Sequence, residues 1–321
     1  GNEMINDRMG ELLELIKSQE EKPALMELAT IFLTALMDKE REIYLKNDED
    51  NKGNGYSKRK LGSLFGNMEL WVPRDRKSNF RSYLLPPPWK RFDDSFNELI
   101  LKLTLNSYSP NRIKSLLNSL NLPYSYEEIE GMKEELYIKA KELKAKQLAN
   151  DVFTLFIDAY HCEIRDDETK KVNKSVIYTI IGIDMKGMKD IYGYYVFYGN
   201  ETREDWLVIF NDLINRGLKR VLLIVSDNFN GLDSAIKALF PKTEHQLCFI
   251  HMKRNLKRHL SKEDYNQFVS GLEKIRVSDD YEKAVIEFEQ LCNTYKDKYS
   301  VFMKQLIEKK DRYWTYLKFP S

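Results

Sequence analysis

Cysteine is scarce in this chain, and several common sequence signals are absent from it. Three cysteines among 321 residues are an odd number, which argues against a disulfide framework and fits a reducing, cytoplasmic compartment. No run of eighteen or more apolar residues occurs, so no membrane span is predicted, and no signal-peptide pattern is found. No Gly-x-Gly-x-x-Gly or Gly-Lys-Ser/Thr loop follows a predicted strand, which disfavours a doubly wound nucleotide-binding enzyme.

An excess of positive charge is also lacking. The 51 Lys and Arg residues are balanced by 50 Asp and Glu residues, which leaves a formal net charge of +1. A chain with this balance has no general attraction for a polyanion, so any nucleic-acid contact would have to come from local basic patches. The length of the chain predicts two or three domains with well-buried cores.

Two aspartates stand at the ends of apolar runs that are typical of buried strands. Asp158 follows 153–157, and Asp227 follows 221–226. Holding a carboxylate among apolar groups costs several kcal/mol unless a cation, a hydrogen-bond donor or water compensates it. A single Asp in this position often only caps the following loop, but two of them favour a divalent metal site with oxygen ligands.

The segments around these aspartates predict a mixed α/β sheet. The predicted elements are, in chain order, strands over 153–158, 176–186 and 190–198, a helix over 202–216, a strand over 220–226, a helix over 231–239 and a strand over 245–251. Short turns make the first three strands an antiparallel meander, and the crossover helix lays the fourth strand parallel to an earlier one. If that neighbour is the strand of Asp158, the two acids meet. The β-β-β-α-β-α-β order is that of a ribonuclease H-like domain.

Motifs in a fixed order run from about residue 50 to the end of the chain. They are Gly55-Tyr, Gly66-Asn-Met-Glu-Leu-Trp-Val-Pro-Arg-Asp-Arg, Ser109-Pro-Asn-Arg-Ile-Lys, Ile157-Asp-Ala-Tyr, Gly182-Ile-Asp, the helix start from Glu201 to Trp206, Val225-Ser-Asp-Asn-Phe-Asn-Gly-Leu-Asp-Ser-Ala-Ile, Phe240-Pro and Gln246-Leu-Cys-Phe-Ile-His-Met-Lys-Arg-Asn. Together they resemble the mutator-type DDE transposases of bacterial and archaeal insertion sequences. One short motif is weak evidence, whereas this many in one order is specific.

This resemblance implies a DNA transposase that cuts and joins the ends of an insertion sequence. Such enzymes hold two divalent metal ions, Mg²⁺ or Mn²⁺, between two aspartates and a glutamate, and use them for phosphoryl transfer. Asp158 and Asp227 match the two aspartates and are the predicted metal ligands. The implied partners are terminal inverted repeats, target DNA and a second copy of the chain, and the protein would be nucleoid-associated when bound to DNA.

The third acid of such a site is not identified. The family's glutamate follows a helical insertion and a Thr-Thr-Asn-like stretch, and the last residues, 312–321, resemble the segment just before it. Glutamates within the predicted insertion are better explained as solvated charges on helix faces; they are Glu273, Glu282, Glu287, Glu289 and Glu308. We therefore expect a transposase truncated before its third acid or, as the alternative, a non-catalytic DNA-binding or dimerising remnant.

Cys248 and His251 form a Cys-x-x-His pair that the family also shows. Two ligands do not complete a tetrahedral zinc site, which takes four. His161 and Cys162 do not supply the other half, because adjacent residues of a strand point to opposite faces. His251 is therefore interpreted as a catalytic-site residue near the two aspartates, either behind the metal ligands or as a contact to DNA phosphate, and Cys248 is assigned to the core.

Basic residues form two groups of candidate DNA contacts. The first group shares one face of the helix predicted after His251 and consists of Lys253, Arg254, Lys257 and Arg258. The second is Arg74 and Arg76, in a stretch that also contains Lys58, Arg59, Lys60 and Lys90 with Tyr56, Trp71 and Trp89 interleaved. The alternatives are an ordinary solvated helix face for the first group and small hydrophobic cores for the aromatic residues.

The regions that flank the predicted sheet are mainly helical. We predict a candidate dimerisation region over 1–50 with helices over 3–19 and 23–45, a DNA-binding region over 51–150, a catalytic domain over 151–260 and a helical insertion over 261–321. The DNA-binding region would contain a hairpin over 61–72 that turns at Gly66-Asn67, and helices over 94–106, 110–120 and 126–146.

The last two of these three helices have a helix-turn-helix pattern, in which the final helix would read DNA. Its first turn, however, holds Glu127, Glu128 and Glu130. These charges favour the helix dipole but would repel DNA phosphates. The sequence therefore gives this helix an unusual charge for a DNA reader.

Overall fold

The computed structural model describes residues 10–11, 14–15, 23–63, 66–90, 93–166 and 169–319. The helix predicted over 3–19 lies mostly outside these residues. The described elements are α1 (Ala24–Lys46), β1 (Gly53–Ser63), β2 (Gly66–Asp75), α2 (Asp94–Asn106), α3 (Pro110–Ser119), α4 (Tyr126–Ala145), β3 (Asp151–Arg165), β4 (Val172–Asp184), β5 (Lys189–Tyr198), α5 (Arg203–Asn215), β6 (Arg220–Ser226), α6 (Leu232–Leu239), β7 (Glu244–Leu247), α7 (Phe249–His259), α8 (Lys262–Arg276), α9 (Tyr281–Tyr295), α10 (Ser300–Glu308), α11 (Lys310–Tyr313) and a 3₁₀ turn (Thr315–Lys318).

A five-stranded mixed sheet has the strand order β5-β4-β3-β6-β7. β3 and β5 are both antiparallel to β4, whereas β6 lies parallel to both β3 and β7. The predicted meander is confirmed, and so is the parallel pairing of the fourth strand with the strand that contains Asp158. No helix among the described residues combines the length and apolar character that a membrane crossing requires.

Alternate residues of β3 enter two different cores. Phe156 belongs to a core shared with α1, the β1–β2 hairpin and helices α2 to α4. Leu155 and Ile157 belong to a core shared with α5 and α6. This alternation follows from the two-residue period of a strand. Asp158 has the parity of Phe156, and it therefore faces the side of the sheet that α1 covers.

β3 is longer than the sequence predicts. The sequence indicates a strand that ends at Asp158, yet β3 continues to Arg165 because β4 pairs with it as far as Val172. Only the parallel pairing with β6 stops, at the pair Ile157 and Ser226. The expected strand end at Asp158 is therefore wrong. Asp158 lies where one neighbouring strand ends and the other continues.

β7 is shorter than predicted. A strand over 245–251 is expected from the sequence, but β7 ends at Leu247, which pairs with the last residue of β6, Ser226. The N–H of Cys248 still donates to the carbonyl of Ser226 at 2.8 Å, and α7 begins at the next residue. Since β6 offers no further partners, the chain turns into a helix, and His251 lies in the first turn of α7 rather than in a strand.

The hairpin turn between β1 and β2 is also displaced. Gly66 pairs with Ser63 and Asn67 pairs with Gly62, so the predicted turn at Gly66-Asn67 is wrong. Residues 64–65, which join the two strands, lie outside the described residues. Gly66 has a φ of +106°, a left-handed value that glycine adopts at low cost, and it is the first residue of β2.

The three helices of the predicted DNA-binding region are confirmed as α2, α3 and α4, each within one residue of its predicted end. Each begins at a side-chain cap. Asp93 and Ser109 accept hydrogen bonds from N–H groups of the first turn, and Ser125 and Glu128 form a reciprocal capping box. Caps of this kind typically stabilise a helix by about 1 kcal/mol.

Helices α7 to α11 form a third core that closes one edge of the sheet. The Gln246 side chain donates to the carbonyl of Tyr313 at 2.6 Å and accepts from the N–H of Tyr316 at 3.0 Å. The Thr315 hydroxyl donates to the carbonyl of His245 at 2.8 Å. Trp314 is fully buried. The 3₁₀ turn therefore covers the free edge of β7.

A buried glutamate ties α1 to two other parts of the chain. Glu40 accepts hydrogen bonds from the Ser82 hydroxyl, the Tyr83 N–H at 3.0 Å and the Tyr124 hydroxyl at 2.8 Å. Burial raises the pKa of Glu40 above its ordinary value of 4.5, while the three hydrogen bonds act in the opposite direction. The carboxyl group joins α1, the segment after the hairpin and the connection between α3 and α4.

Replacement of Glu40 by Ala is expected to lower the free energy of unfolding by about 2–4 kcal/mol, because three donors lose their buried acceptor. Chemical denaturation measures this loss. The control is Thr294→Ala, because its hydroxyl bonds a carbonyl of its own exposed helix and its loss should cost little. Equal stabilities of the two variants would contradict the structural role of Glu40.

The pH dependence of stability should also differ between the wild type and Glu40→Gln. A carboxyl whose folded pKa is raised contributes stability that is fully present below its unfolded value, near 4.5. That contribution is lost as the pH rises through the folded pKa. The wild type should therefore lose stability relative to Glu40→Gln from pH 4.5 upward, as followed by urea midpoints. A relative gain over this window would reverse the assigned pKa direction.

Candidate active site

Asp158 and Asp227 lie side by side on adjacent parallel strands. The last paired residues of β3 and β6 are Ile157 and Ser226; Asp158 is the next residue of β3, and Asp227 directly follows the end of β6. Neighbouring strands are about 4.8 Å apart, so the two side chains start from adjacent backbone positions. The structure thus brings together the two acids that the sequence selects, and their roles as catalytic and metal-binding residues stay predictions.

The Asp158 side chain is partly buried beneath the first residue of α1. Its Oδ2 accepts a hydrogen bond from the N–H of Ala24 at 3.2 Å. Loss of solvation raises the pKa of Asp158, whereas His251, the N–H groups of Ala24 and Ala159 and the Arg254 guanidinium act in the opposite direction. The carboxyl is therefore poorly hydrated and has few favourable contacts of its own.

Asp227 is more accessible than Asp158. Its Oδ1 accepts from the N–H of Asn228 at 2.8 Å, and its Oδ2 lies 3.5 Å from Nδ1 of His251. The predicted placement of His251 beside the aspartates is thus observed, although its catalytic role is untested. The first turn of α7 brings the imidazole over the loop that follows β6.

The buried side chains of Ser226 and His245 fix the backbone at Asp227 through hydrogen bonds. The Ser226 hydroxyl donates to the carbonyl of Asp227 at 2.7 Å and lies 2.7 Å from Nε2 of His245. Since that hydroxyl has one proton, Nε2 of His245 acts as the donor in this arrangement. Its Nδ1 then faces Asp233 at 3.8 Å. Burial lowers the pKa of His245, which favours the neutral ring.

The C-terminal segment returns to the two aspartates. Arg312 donates to Oδ1 of Asn228 at 3.1 Å, directly after Asp227. The Phe319 ring packs edge-on against Phe153 at 6.1 Å between centroids, and Phe153 belongs to the core on the side of the sheet that Asp158 faces. The last described residues therefore lie on the same side as the candidate site.

A third acid does not join the pair within the described residues, where no group of three His, Cys, Asp or Glu side chains is arranged to hold a metal ion. Three glutamates of the helical region pair with lysines instead: Glu273 with Lys253, Glu287 with Lys283 and Glu289 with Lys310. Glu282 and Glu308 are exposed. These positions agree with their assignment as charges on helix faces.

A zinc site is not assembled by the cysteines and histidines of the described residues. Cys248 is buried, whereas His251 faces Asp227. His161 pairs with Glu201 at 2.7 Å, and burial raises the pKa of Cys162 to about 11, which disfavours the thiolate that binds a metal.

The two aspartates do fit a hard divalent cation. Mg²⁺ is commonly held by one or two carboxylates and completes its shell with water and substrate phosphate. The poorly hydrated carboxyl of Asp158 next to a second carboxyl is a place where a cation would relieve both desolvation and repulsion. The donor set therefore suits Mg²⁺ or Mn²⁺.

The predicted basic residues of α7 differ in exposure. Lys253 is partly buried and pairs with Glu273 at 2.7 Å, so its charge is already engaged. Arg254, Lys257 and Arg258 are exposed. Arg254 lies one helical turn beyond His251 and is close enough to Asp158 to affect its pKa. The exposed members of this face therefore adjoin the aspartates.

Arg74 lies near the end of β2, in the separate two-stranded sheet, and Arg76 directly follows that strand. Both are exposed. The carbonyl of Arg74 accepts a hydrogen bond from Arg41 of α1 at 3.1 Å. These two arginines thus belong to the hairpin surface, away from the strands that hold Asp158 and Asp227.

Sequence reasoning missed the Ala24 N–H and the His245–Ser226 pair. A backbone N–H carries no residue-type signal, so nothing in the sequence marks Ala24. His245 lies in a predicted strand, where a buried polar side chain needs a hydrogen-bond partner. That requirement was the one signal in the sequence for its pairing with Ser226.

Comparison with known proteins places the chain in a family. The sequence model described as "Transposase, Mutator family" matches residues 6–321. The chain is 28% identical over 298 residues to a "Transposase for insertion sequence element IS905" of Lactococcus lactis, covering 92% of this chain and 75% of that protein. It is 29% identical over 250 residues to the transposase for insertion sequence element ISRM3 of Rhizobium meliloti, covering 77% and 62%.

A transposase for insertion sequence element IS256 of Staphylococcus aureus is 26% identical over 257 residues, covering 77% of this chain and 65% of that protein. The chain thus spans between 62% and 75% of the length of these three relatives. Among solved structures, a Drosophila P element transposase strand transfer complex matches with a TM-score of 0.27 and 13% identity over 74% of this chain and 65% of that one, too low a score to support an argument. On the family match over nearly its whole length, the chain belongs to the Mutator family of transposases.

Proposed function

We propose that this chain acts on DNA as an insertion-sequence transposase, cutting and joining element ends by phosphoryl transfer at Asp158 and Asp227. The observation that carries the proposal is the position of the two aspartates, one residue beyond the last pair of two parallel strands. Membership of the Mutator family supports the same activity. The proposed substrates are terminal inverted repeats and target DNA.

The strand order supports a ribonuclease H-like sheet. Three antiparallel strands, a crossover helix and two further parallel strands give the order β5-β4-β3-β6-β7. The proposed catalytic acids lie on its central strand and on the neighbouring parallel strand. This arrangement places them at one edge of a rigid scaffold, where small displacements of the carboxyl groups are resisted by both cores.

Asp158 and Asp227 would hold Mg²⁺ or Mn²⁺. Bound divalent ions would supply activation of the attacking oxygen and stabilisation of the leaving oxygen in an in-line displacement at phosphorus. The residues of the chain position this chemistry. The Ala24 N–H orients Asp158, the Ser226 and His245 pair fixes the backbone of Asp227, and His251 stands next to both acids.

A non-catalytic DNA-binding role is the second candidate. It is favoured by one observation: the described residues contain no third acid that joins the two aspartates. If the three-acid site of the family applies, the missing ligand is a residue outside those described. Without that ligand the chain would bind DNA and leave it uncut.

Replacement of Asp158 or Asp227 by Asn is expected to lower Mg²⁺-dependent nicking of labelled element-end DNA by about 1,000-fold or more, since several kcal/mol of metal-ion stabilisation is removed. Melting temperatures should stay close to the wild type. The control is Asp151→Asn, which alters an exposed aspartate at the other end of β3. Full cleavage by either variant would exclude its aspartate from the site. Binding without cleavage by the wild type would favour the non-catalytic candidate.

Replacement of Ala24 by Pro is expected to weaken Mn²⁺ binding by about 10-fold, because partners that orient a metal-binding carboxylate contribute about that much. Proline is tolerated at the first residue of a helix, and the ψ of 129° at Pro23 suits a residue before proline. The variant therefore removes the N–H bond to Asp158, and because Ala24 is buried a thermal melt checks that the added ring carbons leave α1 folded. Ala24→Gly keeps the N–H and is the control. Equal Mn²⁺ affinity of both variants by electron paramagnetic resonance would show that the N–H has no such role.

Replacement of Arg254 and Lys257 by Gln is expected to lower the slope of log K against log salt for DNA binding by about two. The variant loses two cationic side chains, and each neutralised phosphate contributes about 0.9 to that slope. Fluorescence anisotropy with duplex DNA measures this slope. The control changes Lys296 and Lys304, exposed lysines of the helical region, in the same way. An unchanged slope in the α7 variant would make that face an ordinary solvated surface.

A further inference from the structure

The hairpin and the turn after it concentrate the positive charge of the chain. Residues 53–81 contain seven Lys or Arg and two Asp or Glu. This segment therefore has a net charge of +5, and the rest of a chain whose total is +1 has a net charge of −4. One of the two acids, Asp75, is buried and accepts from Asn51 at 2.7 Å and from the N–H of Phe80 at 3.0 Å. It adds little negative charge to the surface.

The two faces of the β1–β2 ribbon have opposite character. The inner face packs into the core shared with α1 and buries Leu61, Met68 and Leu70. The outer face carries two cross-strand pairs, Lys58 opposite Trp71 and Lys60 opposite Glu69. These four side chains are between 48% and 75% exposed. We refer to these four residues as the outer face.

The exposure of Trp71 on this face is not explained by packing within the chain. The side chain is 54% exposed, although a Trp ring gains more than most side chains by leaving water. Its ring lies 5.8 Å from the Lys58 ammonium. The two lysines share one acid, with Glu69 at 3.1 Å from Lys58 and 3.9 Å from Lys60. The outer face therefore offers an aromatic surface with one net positive charge.

The ribbon is held firmly at its base. Arg41 of α1 donates to the carbonyl of Gly55 at 2.9 Å and to that of Arg74 at 3.1 Å, which ties both strands to the helix. Arg59, on the inner face, donates to the carbonyls of Pro86 and Pro87 at 2.7 and 3.0 Å. These two arginines attach the ribbon to α1 and to the segment after the hairpin. Neither of them belongs to the outer face.

We propose that the outer face of the β1–β2 ribbon binds duplex DNA, with the ribbon lying in the major groove. Two strands about 4.8 Å apart fit a groove about 12 Å wide, which admits a two-stranded β-ribbon. Lys58 and Lys60 contact phosphates at the groove edges, and Trp71 makes the apolar contact with base edges. This inference rests on the proposed function, because it takes DNA as the substrate.

The helix that the sequence suggests as the DNA reader is a poorer candidate. The first turn of α4 contains Glu127 and Glu128, both exposed. Glu130 follows and pairs with Lys114 and Lys133, each at 2.6 Å. Acidic groups at this end repel phosphate, whereas the hairpin segment attracts it.

The test uses the full chain and a mixed-sequence 30-base-pair duplex, with anisotropy measured over a range of NaCl concentrations. Lys58→Gln with Lys60→Gln should reduce the salt slope by about two and weaken binding about 10-fold or more, since each phosphate-binding lysine contributes about one to the slope. Trp71→Ala should weaken binding with the slope unchanged. Glu69→Gln should tighten binding, because it removes a negative charge from the same face.

The matched control is Lys139→Gln with Lys141→Gln, two exposed lysines of α4. A larger effect in this control than in the ribbon variant would assign DNA reading to α4 and overturn the inference. An unchanged slope in the ribbon variant, with normal binding by the wild type, would overturn it while leaving the proposed function intact. Absence of duplex binding by the wild type would overturn both. Because all four outer-face side chains are exposed, thermal melts of these variants should match the wild type.

Discussion

Burying the carboxyl of Asp158 removes much of its hydration, and the fold has to supply replacements for that water. One comes from the Ala24 N–H at 3.2 Å, and His251 and the Arg254 guanidinium act through space. These are weak compensation for a carboxylate that stands beside a second one. This shortage of compensation is what supports the proposed cation, and the apolar layers on both sides of the sheet keep the two acids from moving apart.

The position of this constraint follows from how the strands end. β6 stops at Ser226 while β4 continues beside β3, so Asp158 has a paired neighbouring strand on one side only. The start of α1, the first turn of α7 and Arg312 of the C-terminal segment lie around this position. Three distant stretches of sequence therefore meet around one strand position. The Gln246 side chain secures one of them by binding both Tyr313 and Tyr316.

Much of the sheet could be predicted from the sequence, because its strands and helices have clear periodicity and the crossover rule fixes which strands are parallel. The proximity of Asp158 and Asp227 was predicted only on the condition that the fourth strand lies next to the strand of Asp158, and the structure meets this condition. The length of β3 could not be predicted, since it depends on how far β4 pairs with it. The Ala24 contact spans 134 positions and involves a backbone group, so no pattern of residue types signals it. The third acid stayed unassigned because the sequence contains no Thr-Thr-Asn-like stretch before a glutamate; three glutamates of the helical region pair with lysines instead.

Helix α1 has a consequence for how this chain can be recombined with its relatives. Its first residue touches Asp158, and Glu40, sixteen positions later, binds the segment after the hairpin and the connection between α3 and α4. At about 1.5 Å per residue this is a rigid strut of about 24 Å. A chimera joined near residue 50 would place the first helix of a relative against the sheet of this chain. It would disturb the contact with Asp158 and the contacts of Glu40 together. The exchangeable unit is therefore the helix together with the hairpin and the sheet.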